Sequence, residues 1–279
     1  MLDTAQRITT PHSCGSGYLI APRLVLISAH LAPEMGGQVE VSTATDHRPY
    51  TGQVIWHGTP KGHDDAALVH VTDHGWVERA VATMWGRLVT TTPGTPCEVW
   101  GFPDLVQRPG RAAETAQLVG TVAPGSHFVN HRHVMDLSAH PPRWQPHEIR
   151  EQAGRRRSLW AGLSGAVMRC GDGELLVGVV AADLEHRDHA ALEVVPAYVL
   201  HHDTAFRAML AEHGVSRVLE PVELAHLAHE LTTRLTRPDS QVRRWATLWL
   251  TGSATADELK LLQDTRAPLL VVVDGSVRV

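Results

Sequence analysis

Ser164 stands in Gly162-Leu-Ser-Gly165, inside the stretch Ser-Leu-Trp-Ala-Gly-Leu-Ser-Gly-Ala-Val-Met (158–168), just before the apolar run 175–180. Glycines on both sides let the backbone approach a bound carbonyl and let main-chain N–H groups converge where an oxyanion would form. A serine hydroxyl is a poor nucleophile until a base takes its proton, and imidazole can accept and return that proton near neutral pH. His30, at the end of Ile27-Ser-Ala-His30, is the candidate base. A base of this kind needs its second ring nitrogen held by a carboxylate. Asp65, directly before Ala-Ala-Leu-Val-His-Val (66–71), fits that need, with Asp64 as its rival. In extended chain two adjacent acids cannot point the same way. Each residue also has a structural reading: a glycine turn, a strand-end histidine and a turn aspartate.

The elements that must hold these residues read as short strands. Residues 14–32 form two apolar segments joined at Ala21-Pro-Arg23, a hairpin ending at His30. Segments 38–42, 51–56, 66–71, 98–103, 116–122 and 133–137 continue at fairly regular spacing with turn residues between them. Strand patterns return at 166–169, 175–181 and 191–195. Apolar spacing then turns helical from 196, with Gly214 as a stop. Between 138 and 157 the chain is rich in Pro, His, Arg and Gln, which predicts a long exposed loop immediately before the serine stretch.

Past Gly214 the texture changes. Residues 221–235 and 239–250 are amphipathic, 256–263 reads as a short helix, and 269–274 as a buried strand. The reading is a first domain over 1–214 and a small helical module over 215–279. Ending so soon after an apolar strand suggests a module completed by more chain or by a partner.

With 43% hydrophobic residues the 279-residue chain reads as soluble and globular, and a net charge of -5 argues against nucleic acid as the partner. No apolar run is long enough to span a bilayer and the N-terminus lacks a secretory pattern, so the expected compartment is the cytoplasm, with no membrane partner. Cys14, Cys97 and Cys170 form no C-x-x-C pair and read as buried thiols. The 19 histidines are scattered. His226 and His229, an i,i+3 pair on a predicted helix, lack an evident third ligand, so a solvated helix face is the preferred reading and no metal is expected.

In the order His, Asp, Ser, these stretches resemble the trypsin-like serine peptidases. That family is built as two six-stranded antiparallel β-barrels with the active site between them. The resemblance spans residues 8–213. The family's G-S-G-x-L-I and V-L-T-A-A-H are similar to Gly15-Ser-Gly-Tyr-Leu-Ile20 and Val25-Leu-Ile-Ser-Ala-His30, and D-I-A-L-L to Asp65-Ala-Ala-Leu-Val69, a register that favours Asp65 over Asp64. G-D-S-G-G-P is similar to Gly162-Leu-Ser-Gly-Ala-Val167, and 196–214 to the family's closing strand and terminal helix. The resemblance implies that Ser164 attacks the scissile carbonyl, His30 acts as base and then acid, Asp65 orients His30, and the N–H groups of Gly162 and Ser164 hold the oxyanion. It implies a protein or peptide substrate and no cofactor.

The departures carry information. Leu31 replaces the family's second cysteine and leaves Cys14 without that partner, which supports a reducing compartment. Leu163 stands where zymogen-activated members have an aspartate, so activation by N-terminal cleavage is not expected. Ala166 and Val167 replace Gly and Pro. Alignment from Ser164 places Ser158 at the floor of the specificity pocket and Asp183 at the end of the substrate-pairing strand. The expectation is an apolar or medium-sized P1 residue, with Asp183 favouring a basic one or obstructing the pocket as the alternatives.

The resulting expectation is a serine endopeptidase, regulated through a partner at 215–279 or through the 138–157 loop, of the kind found in bacterial conflict or signalling systems. The competing expectation is a catalytically silent binding module on the same fold.

Overall fold

The computed structural model describes residues 4–11, 13–46, 48–89, 93–108, 111–138, 158, 160–171, 175–184, 187 and 189–223, and the backbone of 271–273 and 276–278. Two compact units divide the chain, Met1–Val222 and Glu223–Val279.

The first unit begins with six strands: β1 (Ala5–Thr9), β2 (Cys14–Ala21), β3 (Leu24–Ile27), β4 (Gln38–Thr43), β5 (Tyr50–His57) and β6 (Ala67–Val71). They pair antiparallel in the closed order β1-β2-β3-β6-β5-β4. After β7 (Met84–Arg87) come β8 (Thr95–Gly101), β9 (Ala116–Val122), β10 (His133–Leu137), β11 (Val167–Cys170), β12 (Leu175–Asp183) and β13 (Ala191–Pro196). These close in the same cyclic order, β8-β9-β10-β13-β12-β11, with β11 returning to β8. The two six-stranded antiparallel barrels expected from the sequence are present.

Side-chain pattern explains which strands lie where. β4 alternates exposed and buried residues, as a strand with one wet face must. Leu24–Ile27 is apolar throughout because both of its faces are covered. Val25 and Ile27 point into the first barrel with Leu19, Val41, Val54 and Val69. Leu24 and Leu26 point the other way, into a second cluster with Val179, Val195, Leu200 and Phe206. That second cluster joins the two barrels, so β3 belongs to both cores.

The helical segment divides into α1 (Ala197–Leu200) and α2 (Thr204–Glu212). Asp203 caps α2 by accepting from Phe206 N at 2.9 Å, and Gly214 follows with φ +69°. The wholly buried Phe206 packs its ring 4.9 Å from Trp56 and 6.0 Å from Trp85. β14 (Leu219–Pro221) runs parallel to β7, and this pairing carries the first unit past Gly214 to Val222. Three strands, β1, β7 and β14, have no counterpart in the sequence pattern. β1 carries a single large apolar residue, Ile8, and β7 and β14 pair parallel at a sheet edge.

In the second barrel Cys170 lies directly opposite Cys97. Both are buried, whereas Cys14 is only half-buried.

In the second unit, β15 (Val271–Val273) and β16 (Ser276–Arg278) form an antiparallel hairpin, so the predicted 269–274 strand has a partner. The predicted helices, from 224 onward, and the predicted loop, from 139 to 157, lie outside the described residues, as do His226 and His229. No helix among the described residues is long and apolar enough to cross a membrane.

Candidate active site

β3 ends at Ile27, and the chain enters a 3-10 turn, Ala29–Leu31. Ala29 and Leu31 are buried and anchor the turn, leaving His30 between them with its ring partly open to solvent. Asp65 sits at the end of a tight loop whose N–H bonds turn inward: Gly62 N to Thr59 O at 2.8 Å and Asp65 N to Gly62 O at 3.3 Å. Its carboxylate is 1% exposed. One oxygen, Oδ2, lies 2.8 Å from His30 Nδ1, and the other accepts the His30 backbone N–H at 2.9 Å. Asp64 turns elsewhere, accepting Thr59 N at 3.2 Å. Burial pushes the Asp65 carboxyl up. The hydrogen bonds and charge of His30, with the Lys61 backbone, outweigh it and hold Asp65 below the ordinary carboxylate value.

Ser164 lies on the other barrel, in the turn leading to β11. The turn needs positive φ at Gly162 (+92°) and Gly165 (+86°), and not at Ala166, so the replacement of glycine there carries no strain. A Cβ on Gly162 would lie 2.4 Å from Phe102 O, and one on Gly165 would lie 2.1 Å from Ser16 O. The turn is therefore pressed directly against backbone on both barrels.

Three hydrogen bonds fix that approach. Ser16 N donates to Ser164 O at 2.8 Å, and Ser16 Oγ donates to Gly162 O at 2.6 Å while accepting Phe102 N at 2.9 Å. Ser28, two residues before His30, donates to Val180 O at 2.8 Å, and the N–H of Gly165 donates to the same carbonyl at 2.8 Å. Leu31 and Ser164 O both close around Gly15. The hairpin presenting His30 and the turn presenting Ser164 are thus tied through shared backbone contacts.

Along the turn, the N–H groups of Ala161, Leu163 and Gly165 donate to carbonyls. Those of Gly162 and Ser164, two residues apart, donate to nothing among the described residues. Ser164 Oγ contacts Ala181 O at 3.5 Å, too long for a strong hydrogen bond, and it makes none to His30.

Beside Ser164 opens a cavity of about 190 Å³ lined by Ser158, Trp160, Leu163, Val180, Ala181 and Asp183, among others. Ser158 Oγ donates to Asp183 Oδ2 at 2.5 Å, and His189 Nδ1 meets the same oxygen at 2.5 Å. Trp160 Nε1 donates to His189 O at 2.8 Å and holds that loop in place. The Asp183 side chain is 7% exposed, and its Oδ1 has no donor among the described residues.

No protein-family model and no curated protein matches the chain. Among solved structures it is similar to a Glu endopeptidase, at TM-score 0.51 and 14% identity, covering 76% of this chain and 90% of that one. It is likewise similar to the active form of the Rv3671c protease from M. tuberculosis, at TM-score 0.50 and 16% identity, covering 79% and 84%. The chain has the trypsin-like fold. At this level of identity the likeness speaks for the architecture, and the chemistry rests on the side chains of this chain.

Set on that trypsin-like fold, the sequence-predicted residues form two groups. His30 and Asp65 meet directly, and Ser158 and Asp183 meet across the pocket beside Ser164 and Leu163. Sequence reasoning missed Ser16, Ser28 and His189. Ser16 carried a signal, since it sits between two glycines in the hairpin, but its partner Gly162 is 146 residues away. No group of three His, Cys, Asp or Glu among the described residues converges as a metal site.

Proposed function

We propose that the chain is a serine endopeptidase with Ser164 as nucleophile, His30 as base and Asp65 as its orienting carboxylate. The observation that carries this reading is the double grip of the buried Asp65 on His30, through Nδ1 and through the backbone N–H. A carboxylate committed to Nδ1 leaves Nε2 as the nitrogen that exchanges a proton with substrate and serine.

The reaction follows from that assignment. Ser164 Oγ attacks the scissile carbonyl carbon as its proton passes to His30 Nε2, and the carbonyl electron pair moves onto oxygen, which the Gly162 and Ser164 N–H groups receive. The C–N bond breaks as His30 returns the proton to the leaving amine. Water then repeats the sequence on the acyl-enzyme, releasing the acid and restoring Ser164.

Asp183 supports a reading of the side-chain preference. The pocket holds a carboxylate whose Oδ1 has no donor among the described residues, so a P1 side chain bearing a positive charge would gain a charge-assisted hydrogen bond there, and an acidic one would be repelled. A basic P1 residue, the alternative weighed from the sequence, is the preference proposed.

Leu163 is buried at the position where an activating ion pair would need an acid, so control by a partner or loop fits better than cleavage activation. A cytoplasmic effector role and a regulatory partner at 215–279 belong to the same proposal and rest on sequence texture.

A fluorophosphonate probe tests the assignment. Labelling of the wild type that disappears in Ser164→Ala and drops in His30→Ala is expected, and labelling that persists in Ser164→Ala removes it as nucleophile. One observation favours the silent-module alternative: the Ser164 hydroxyl faces Ala181 O rather than His30. Hydrogen bonds of this kind are often long before substrate binds. Cleavage of any peptide by the wild type that is lost in His30→Ala would exclude that alternative.

A further inference from the structure

Among the described residues, Arg132 is the one arginine or lysine that is buried. A guanidinium taken out of water costs several kcal/mol unless its donors are satisfied. Arg132, directly before β10 in the second barrel, meets that requirement by reaching across to the first. Its Nε donates to Glu193 Oε1 at 3.0 Å, Nη1 donates to His63 O at 2.6 Å, and Nη2 donates to Gly62 O.

The carbonyls it holds belong to the loop that shapes Asp65. Gly62 O also accepts the Asp65 N–H, and the Lys61 backbone supports the Asp65 carboxylate. Lys61 takes φ +60°, a conformation a non-glycine residue keeps only when its surroundings enforce it. Glu193 on β13 is itself held from a second side, with His127 Nδ1 at 3.5 Å. A continuous path of polar contacts therefore runs from β13 through Arg132 to Gly62 and His63, in the loop just before Asp65.

We propose that Arg132 is a positioning residue for the catalytic pair: the second barrel, which carries Ser164, uses it to set the loop that aims Asp65 at His30. This rests on the hydrolase reading above. Asp65 fixes His30 through two bonds of 2.8 and 2.9 Å, so a small shift of the 61–65 backbone tilts the ring away from the nucleophile. Misplacement of about 1 Å can cost on the order of 100-fold in rate.

The test uses the full-length chain, counting active sites with a fluorophosphonate titrant so that kcat is expressed per competent site. Arg132→Met is expected to lower kcat about 10- to 100-fold with KM within about threefold, and Arg132→Lys to recover part of the loss. A merely structural role would lower melting temperature and the number of titrated sites while leaving kcat per site unchanged, and that result overturns the proposal. If Arg132→Met does not fold, Arg132→Lys and Glu193→Gln carry the test through the downfield proton resonance of His30 Nδ1–H. A resonance that shifts or broadens in both supports the proposal, and one identical to wild type in both overturns it. Labelling and cleavage that persist in Ser164→Ala remove the hydrolase reading, and this proposal with it. An active wild type with an unaffected Arg132→Met removes only this proposal.

Discussion

Both oxygens of Asp65 are committed to one residue: Oδ2 to the ring of His30 at 2.8 Å and Oδ1 to its backbone N–H at 2.9 Å. The amide of Asp65→Asn preserves the shape but offers a donor where Nδ1–H needs an acceptor, which favours the wrong tautomer. A fall in kcat on the order of 10⁴-fold is expected, with little change in melting temperature. Steady-state kinetics beside thermal unfolding checks it, and a loss of less than tenfold would remove Asp65 from the mechanism.

The turn at Ser164 tolerates no side chain at Gly165. Alanine there would need a left-handed φ and would bring its Cβ to 2.1 Å from Ser16 O, which is backbone and cannot rotate away. A destabilisation of about 3 kcal/mol or more is expected for Gly165→Ala, measured by urea unfolding. Ser28→Ala, which strips a buried carbonyl of one of its two donors, is expected to cost only about 1 kcal/mol.

How much of this was legible follows from where each residue's partners lie. His30, Asp65 and Ser164 each border an apolar strand, so local pattern marks them, and β3 betrays its two buried faces by its unbroken run of Leu, Val, Leu and Ile. Asp65 was separable from Asp64 only by resemblance, because the choice is made by a loop whose bonds run between Thr59, Gly62 and Asp65. Arg132 gave no signal at all: its partners are 61 to 70 residues away and two of them are backbone carbonyls. Ser158 and Asp183 were placed by alignment, but the hydrogen bond joining them, and the contribution of His189, emerge only when β12 and the turn are folded together.

Asp183 should govern selectivity more than turnover. With substrates matched except at P1, wild type is expected to cleave after Arg or Lys at least tenfold better than after Leu, and Asp183→Asn to erase most of that difference while sparing the Leu substrate. Equal cleavage of all three would remove the carboxylate as a specificity element. The estimate of tenfold corresponds to about 1.4 kcal/mol, modest for a charge-assisted bond.

Acid should unfold the first unit through two histidines. Burial holds both His133 and His201 down at about 4, with the backbone of Arg217 opposing the shift only weakly at His201. Above the unfolded value of about 6.5 both states are neutral and nothing is lost. As pH falls from about 6.5 to 4 the unfolded chain takes up protons that the folded chain refuses, so stability drops by roughly 3 kcal/mol per histidine and then levels off. The lowered Asp65 carboxyl adds a loss of the same sign at lower pH. Urea midpoints measured across this range in wild type and His133→Phe check the slope, which should be shallower in the variant.

The register that sets Cys170 against Cys97 gives the chain a chemical memory of where it folded. Residues directly opposed on antiparallel strands have Cα atoms about 4.5–5.5 Å apart, inside the span a disulfide accepts. In an oxidising compartment that separation allows a disulfide between them. The bond would close a loop of about 73 residues, worth roughly 4 kcal/mol, and clamp the end of the strand that begins three residues after Ser164. In a reducing compartment the same pair persists as thiols. Alkylation of the purified native chain before and after reduction therefore reads out its compartment from two residues, independently of the missing neighbour of Cys14.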